Sequence, residues 1–219
     1  MALTDVADPT APRGDAGEGR VLAATLVCLS RWGVAKTTLD DIARAAGVSR
    51  ATVYRMFPGG KDTVLDALVA DELARFATEL ADRLGDTKDL EGLLVAGITF
   101  ASRTLSGHEA LQYLLAHEPE QVLPHVSFGR FDLVLAAASR LVAPHLARFL
   151  GDEPALRTGE WVTRLVLSYT MAPSPSYDFT DEGSVRSFVR SYVLPGLIDR
   201  TTTSAPPAAP TSEPSATQS

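Results

Sequence analysis

An all-α fold is what this sequence predicts, with a small three-helix head joined by a long helix to a larger helical body. Three observations predict it. Apolar residues recur three and four positions apart through most of the chain. The alternation of a half-buried strand is absent, as are hairpin dipeptides between β-branched runs. Capping residues, glycines and prolines punctuate the sequence at intervals that suit helices.

The elements follow in order. Residues 1–17 are acidic and Pro/Gly-rich, residues 201–219 are rich in Pro, Ala, Ser and Thr, and both segments read as disordered. The first helix is expected over 18–32, with Leu22, Leu26 and Leu29 on one face and Val21, Cys28 and Trp32 on another, and Gly33 stops it. Thr38 is a good N-cap for the second helix, and Asp41 stands where a capping box needs an acceptor. Gly47 ends that helix, because glycine most easily takes the left-handed turn. Ser49 caps a third helix that ends near Phe57-Pro58.

A fourth, long helix begins around Gly60 and carries a stripe of Leu65, Leu68, Leu73, Phe76, Leu80 and Leu84. Further helices are expected over 88–106, 108–116, 119–126 and 127–150. Another covers 154–172, with Trp161, Leu165 and Tyr169. After a proline-rich break the last spans 182–198, with Val185, Phe188, Val189 and Tyr192. The expected division is a head over 18–63 and a body over 64–200.

Composition narrows the function classes. The 219 residues contain a single cysteine, Cys28, which rules out an intramolecular disulfide and a cysteine zinc site. No apolar run reaches the roughly 18 residues of a membrane span, and the N-terminus lacks the basic and apolar regions of a signal peptide. A cytoplasmic location is expected. No G-x-S-x-G, glycine-rich phosphate loop or nucleophile with a base at hand is present, so neither catalysis nor a cofactor is expected. His117, Glu118, Glu120 and His125 fall in one short segment, but helix-end histidines beside a proline turn account for them without a metal.

The net charge of −7 is unevenly placed. From Arg20 to Val64, seven bases (Arg20, Arg31, Lys36, Arg44, Arg50, Arg55, Lys61) face three acids (Asp40, Asp41, Asp62). A basic head on an acidic body suits a polyanion that meets the head alone, and a cluster of merely solvated side chains is the competing account. Two short helices joined by a tight glycine turn form a helix-turn-helix. Ala43 and Ala46 allow a close helix crossing, Val48 and Val53 anchor the unit from beneath, and the third helix is left facing outward with Arg50, Ala51, Thr52 and Arg55. Such a helix fits the major groove of DNA.

The stretch TTLDDIARAAGVSRATVYRMFPGGKDTVL resembles the DNA-binding domain of the TetR family of bacterial transcriptional regulators, over about residues 21–68. The matched positions are Gly33, Thr37-Thr38, Asp41-Ile42-Ala43, Ala46-Gly47-Val48-Ser49, Thr52-Val53-Tyr54, and Phe57 followed by a lysine. The lysine departs from the common pattern: Lys61 comes four residues after Phe57, not three. The resemblance implies that Thr38 and Thr37 hold a phosphate and that Tyr54 donates its hydroxyl to the DNA backbone. It also implies that Arg50, Ala51, Thr52 and Arg55 face the groove, that Ser49 belongs to the DNA-binding set and that Lys61 contributes charge.

For the rest of the chain the resemblance implies a ligand-binding and dimerisation domain. The expected partners are a palindromic double-stranded operator, a small apolar or amphipathic effector and a second copy of the chain, with no membrane. A DNA-binding regulator without a small ligand, a constitutive repressor or an activator, is the alternative. Phe100, Tyr113, Phe128, Phe131 and Trp161 are the candidate pocket aromatics, with plain core packing as the competing account for each. Trp161, Leu165, Tyr169, Val185, Phe188, Val189 and Tyr192 are the candidate dimer interface, and for these helices too an internal core is the alternative.

Overall fold

The computed structural model describes residues 16–121 and 131–197, and every regular element among them is helical. The head contains α1 (Ala16–Lys36), α2 (Leu39–Ala46) and α3 (Arg50–Met56). The connecting helix is α4 (Lys61–Gly85), followed by α5 (Leu90–Gly107) and α6 (Glu109–His117). A long hairpin of α7 (Phe131–Leu150) and α8 (Asp152–Met171) comes next, and then α9 (Glu182–Phe188), which runs on through a π-turn over Val189–Val193. The expected disordered segments lie outside the described residues, apart from Ala16 and Gly17, which already belong to α1. The same holds for most of the helix expected over 119–126.

Local chemistry sets the head's boundaries. Thr38 and Asp41 form a reciprocal capping box: the Thr38 hydroxyl accepts from the Asp41 N–H at 3.2 Å, and the Asp41 carboxylate accepts from the Thr38 N–H at 3.1 Å. Gly47 closes α2 at φ 67°, ψ 32°, and its N–H donates to Arg44 O at 3.2 Å. Ser49 caps α3 by accepting from the Thr52 N–H at 3.1 Å. Gly33 does not end α1 but breaks it. Its φ of 74° and ψ of −177° interrupt the helix, and one further turn follows to Lys36.

Two apolar cores form, with a smaller cluster between them. Val21, Cys28, Leu39, Ile42, Val53, Phe57 and Val64 make the head core. Leu80 and Leu84 of α4 join Leu94 and Ile98 of α5, Leu146 of α7, Val166 of α8 and Val185, Phe188 and Val189 of α9 in the body core. Each such side chain contributes roughly 1.5–3 kcal/mol on burial. Leu29 of α1, Leu68 of α4 and Ala110 of α6 form the cluster that ties head to body.

Polar contacts fix the body's outer helices. The Arg148 guanidinium donates to the carbonyls of Leu84 at 3.0 Å and Gly85 at 3.3 Å, which supplies partners to the end of α4. Glu91 accepts from Arg186 and Arg190, each at 3.0 Å, and so pins α9 to the start of α5. These two arginines hold the Glu91 carboxyl below its ordinary range, Arg190 most strongly. Gly159 lets α8 lie close on α7, since a Cβ there would come within 2.7 Å of Val142 and 3.3 Å of the Ser139 backbone. No helix among the described residues is long and apolar enough to cross a membrane.

The expected dimer residues divide. Val185, Phe188 and Val189 are buried within the protomer, packed on α5, and offer nothing to a partner. The apolar surplus of the last helix is consumed internally, since its rings also meet Tyr169, Tyr177 and Phe179. Leu165 and Tyr169 are half-buried against the same core. Only Trp161, 41% exposed, and Tyr192, 60% exposed, stand outward.

Candidate nucleic-acid interface

The outer face of α3 is built from four side chains. Val53 points inward and is fully buried, which turns Arg50, Ala51, Tyr54 and Arg55 outward, and all four are exposed. Thr52 is half-buried, with its hydroxyl 2.9 Å from that of Ser49. No acidic residue lies on α3. Its nearest counter-charge is Asp40 at the start of α2, whose carboxylate accepts from Arg50 at 3.0 Å. Arg50 also lies 3.5 Å from the Tyr54 hydroxyl and 5.5 Å from the centre of that ring. These contacts, the Tyr54 bond first, strengthen the hold of Arg50 on its proton. An exposed ion pair of this kind is worth little and exchanges readily for a phosphate or base.

The N-terminus of α2 adds an exposed Thr38 beside this face. Its hydroxyl donates to Asp41 at 2.6 Å, and that bond and the Thr38 N–H lower the Asp41 pKa. Arg44 is exposed and pairs with Asp41 at 3.4 Å.

Two expectations are corrected. Thr37 is buried, and its hydroxyl donates to Gly33 O at 2.6 Å, so its side chain stabilises the last turn of α1 and cannot hold a phosphate. Lys61 is half-buried, and its ammonium donates to Val34 O. The Pro58-Gly59-Gly60 turn, with φ of 118° at Gly59 and 79° at Gly60, starts α4 with Lys61 turned back toward α1. Lys61 therefore lies in the seam between α1 and α4.

That seam holds a feature the sequence did not disclose. Glu118, directly after α6, is only 8% exposed. Its carboxylate accepts from the Val34 N–H at 2.8 Å and the Ala35 N–H at 3.2 Å. Gly33 permits this approach, because a Cβ there would lie 2.3 Å from Glu118 Oε1. Glu118 thus clamps the body's α6 to the break in α1, while Lys61 takes the carbonyl of the same Val34. The conspicuous Gly33 was the only available signal.

Among the described residues, the expected pocket aromatics Phe100, Tyr113 and Trp161 do not converge. Phe100 is buried core, with Phe76 at 5.4 Å between ring centres and the Arg83 guanidinium 4.6 Å above its ring. Tyr113 stacks on His117 at 4.3 Å. Trp161 faces outward. Phe128 and the Phe131 side chain lie outside the described residues. Cys28 is buried, which raises its thiol pKa and suits core packing. Among the described residues no group of His, Cys, Asp and Glu could hold a metal.

Comparison with known proteins agrees with this geometry. The family described as bacterial regulatory proteins, tetR family, matches residues 21–68. An uncharacterised HTH-type transcriptional regulator of Mycobacterium bovis is 34% identical over 171 residues, covering 77% of this chain and 85% of the relative. The HTH-type transcriptional regulator EthR of Mycobacterium tuberculosis is 32% identical over 102 residues, 46% of this chain and 47% of that protein. Among solved structures, the TetR family repressor AlkX from Dietzia shares the fold, with a TM-score of 0.59, 22% identity, and 86% of this chain and 98% of that one covered. The outward α3 face on a capped helix-turn-helix, together with these relatives, establishes that the chain belongs to the TetR family and is a DNA-binding transcriptional regulator.

Proposed function

We propose that the protein is an effector-responsive repressor that binds a palindromic operator as a homodimer. The observation that carries this reading is the face of α3, where Arg50, Ala51, Tyr54 and Arg55 are exposed with no acidic residue on the helix. Arg50 or Arg55 can grip guanine with paired hydrogen bonds, and a methyl of Ala51 or Thr52 can meet thymine. In this reading Tyr54 and Thr38, both exposed, meet backbone phosphates. One head touches too few phosphates for tight specific binding, and a symmetric pair doubles the contacts and sets the half-site spacing. The outward face of α8, with Leu156, Trp161 and Met171 exposed, is the surface proposed for that pairing.

Repression is relieved when an effector favours a body in which α4 and α6 have shifted. Both helices touch α1, so the two heads then lose the spacing the operator demands. Linkage requires that operator binding weaken the effector by the same factor, commonly 1–3 kcal/mol. A regulator of this type works on the chromosome, in agreement with the expected cytoplasmic location.

The test is operator selection from random duplexes followed by gel shifts. The recovered site should be palindromic. Arg50→Ala should weaken binding and blur the sequence preference at one position per half-site, by roughly 1–3 kcal/mol, whereas Tyr54→Phe should weaken all duplexes evenly. If both variants bind like the parent, α3 does not lie in the groove. With 6–10 phosphate contacts, affinity should fall by roughly 10³–10⁵ between 50 and 200 mM salt.

A further inference from the structure

The face of α3 that carries Arg50 is flanked by an acid. Asp40, in the first turn of α2, is exposed, and its carboxylate accepts from the Arg50 guanidinium at 3.0 Å across the turn between the two helices. A negative charge beside a surface that meets a polyanion works against binding. The fold does not require it there. Thr38 and Asp41 form the capping box of α2, and Asp41 already places a carboxylate in that first turn. The other side of Arg50 is held as well, 3.5 Å from the Tyr54 hydroxyl and 5.5 Å from the centre of the Tyr54 ring. An exposed guanidinium is thus gripped from both helices of the unit.

We propose that Asp40 is a positioning residue for base reading, one that holds Arg50 ready for a guanine edge and penalises its use on phosphates. The proposal rests on the placement of α3 in the groove given above. Guanine is neutral and asks only for N–H donors at O6 and N7. The guanidinium has more N–H groups than Asp40 and Tyr54 engage, so a guanine can be gripped while Asp40 keeps its bond. A phosphate is an anion and competes with Asp40 for the same cation, and the carboxylate is then left unpaired beside the DNA backbone. A guanine-bearing site is thereby favoured over arbitrary DNA.

Two further effects act in the same direction. A long arginine side chain gives up rotamer freedom when it meets a base, and one already held by Asp40 and Tyr54 gives up less. In the free protein the pair is open to water, with side-chain exposures of 54% and 55%, and contributes little. A duplex laid over it excludes that water and strengthens the attraction where the guanine is read.

The experiment measures gel-shift affinities of the full chain for the selected operator, for its single-base variants and for a random-sequence duplex. Arg50→Ala identifies the base position that Arg50 reads. Asp40→Asn should lower the preference at that position about tenfold, while raising affinity for the random duplex about threefold. Asp40→Glu keeps the charge and should retain most of the preference. Asp40→Asn should also melt with the parent, since the capping box is intact. In an Arg50→Ala background, Asp40→Asn should leave the base preferences unchanged. Parental preference in Asp40→Asn, where Arg50→Ala has lost it, overturns the proposal alone. Equal weakening on every duplex overturns it too, because that is the signature of a purely structural acid. A further loss of preference in the Arg50→Ala background means that Asp40 reads a base itself, and this also overturns it. Parental preference in Arg50→Ala overturns the placement of α3 in the groove, and the role of Asp40 with it.

Discussion

Replacing Gly33 with alanine tests the junction between head and body. At φ 74° and ψ −177° this residue occupies a region that is essentially restricted to glycine, and a side chain there costs about 1–3 kcal/mol in backbone strain. The new Cβ would also stand 2.3 Å from Glu118 Oε1 and 2.6 Å from its Cδ. The carboxylate must withdraw, which weakens its bonds to the N–H groups of Val34, at 2.8 Å, and Ala35, at 3.2 Å. A hydrogen bond to a charged group is worth about 1.5–3 kcal/mol, so the loss of one brings the total to roughly 2.5–6 kcal/mol. Set against a typical stability of about 5–15 kcal/mol, that is a large share. Urea unfolding of the full chain measures it. The decisive comparison repeats Gly33→Ala in a Glu118→Ala background, where only the backbone strain remains and the cost should drop by about 1.5–3 kcal/mol. A cost below about 1 kcal/mol, or the same cost in both backgrounds, would refute the clamp.

Further outcomes are expected elsewhere. Phe188→Ala should destabilise the protomer by about 3–5 kcal/mol, as a large core truncation does, without changing its association state at matched folding in sedimentation. Trp161→Glu should do the reverse: little change in unfolding of the isolated protomer, but a shift from dimer to monomer, because this exposed ring belongs to the proposed pairing face. The Asp41 carboxyl sits below its ordinary pKa, first through the Thr38 hydroxyl. Its contribution is therefore present above the unfolded value, about 3.9, and is lost as pH falls through the lower folded value. Asp41→Asn should flatten that part of the acid-unfolding profile.

The head was legible in the sequence because its information is local. Thr38 and Asp41 three residues apart make a cap wherever the chain is placed, Gly47 turns because it alone tolerates the left-handed conformation, and Val53 among polar neighbours fixes which face of α3 looks outward. The body was legible only as a set of helices. Periodicity marks an apolar stripe but not what covers it, so the stripe of Val185, Phe188 and Val189 read equally well as interface or core until α5 was seen packed on it. The same limit scattered Phe100, Tyr113 and Trp161 into a core, a stacked pair and an outer surface.

By itself, then, the sequence determined an all-helical chain and an α3 face suited to DNA. These follow from capping, turn chemistry and helical periodicity, which act within a few residues. Only the tertiary structure decided that Lys61 turns to Val34, that Glu118 reaches back to the break at Gly33, and that Arg148 reaches the Leu84 carbonyl at the end of α4. Those contacts join residues 27, 84 and 64 positions apart, and no local propensity encodes a meeting that depends on how whole helices pack.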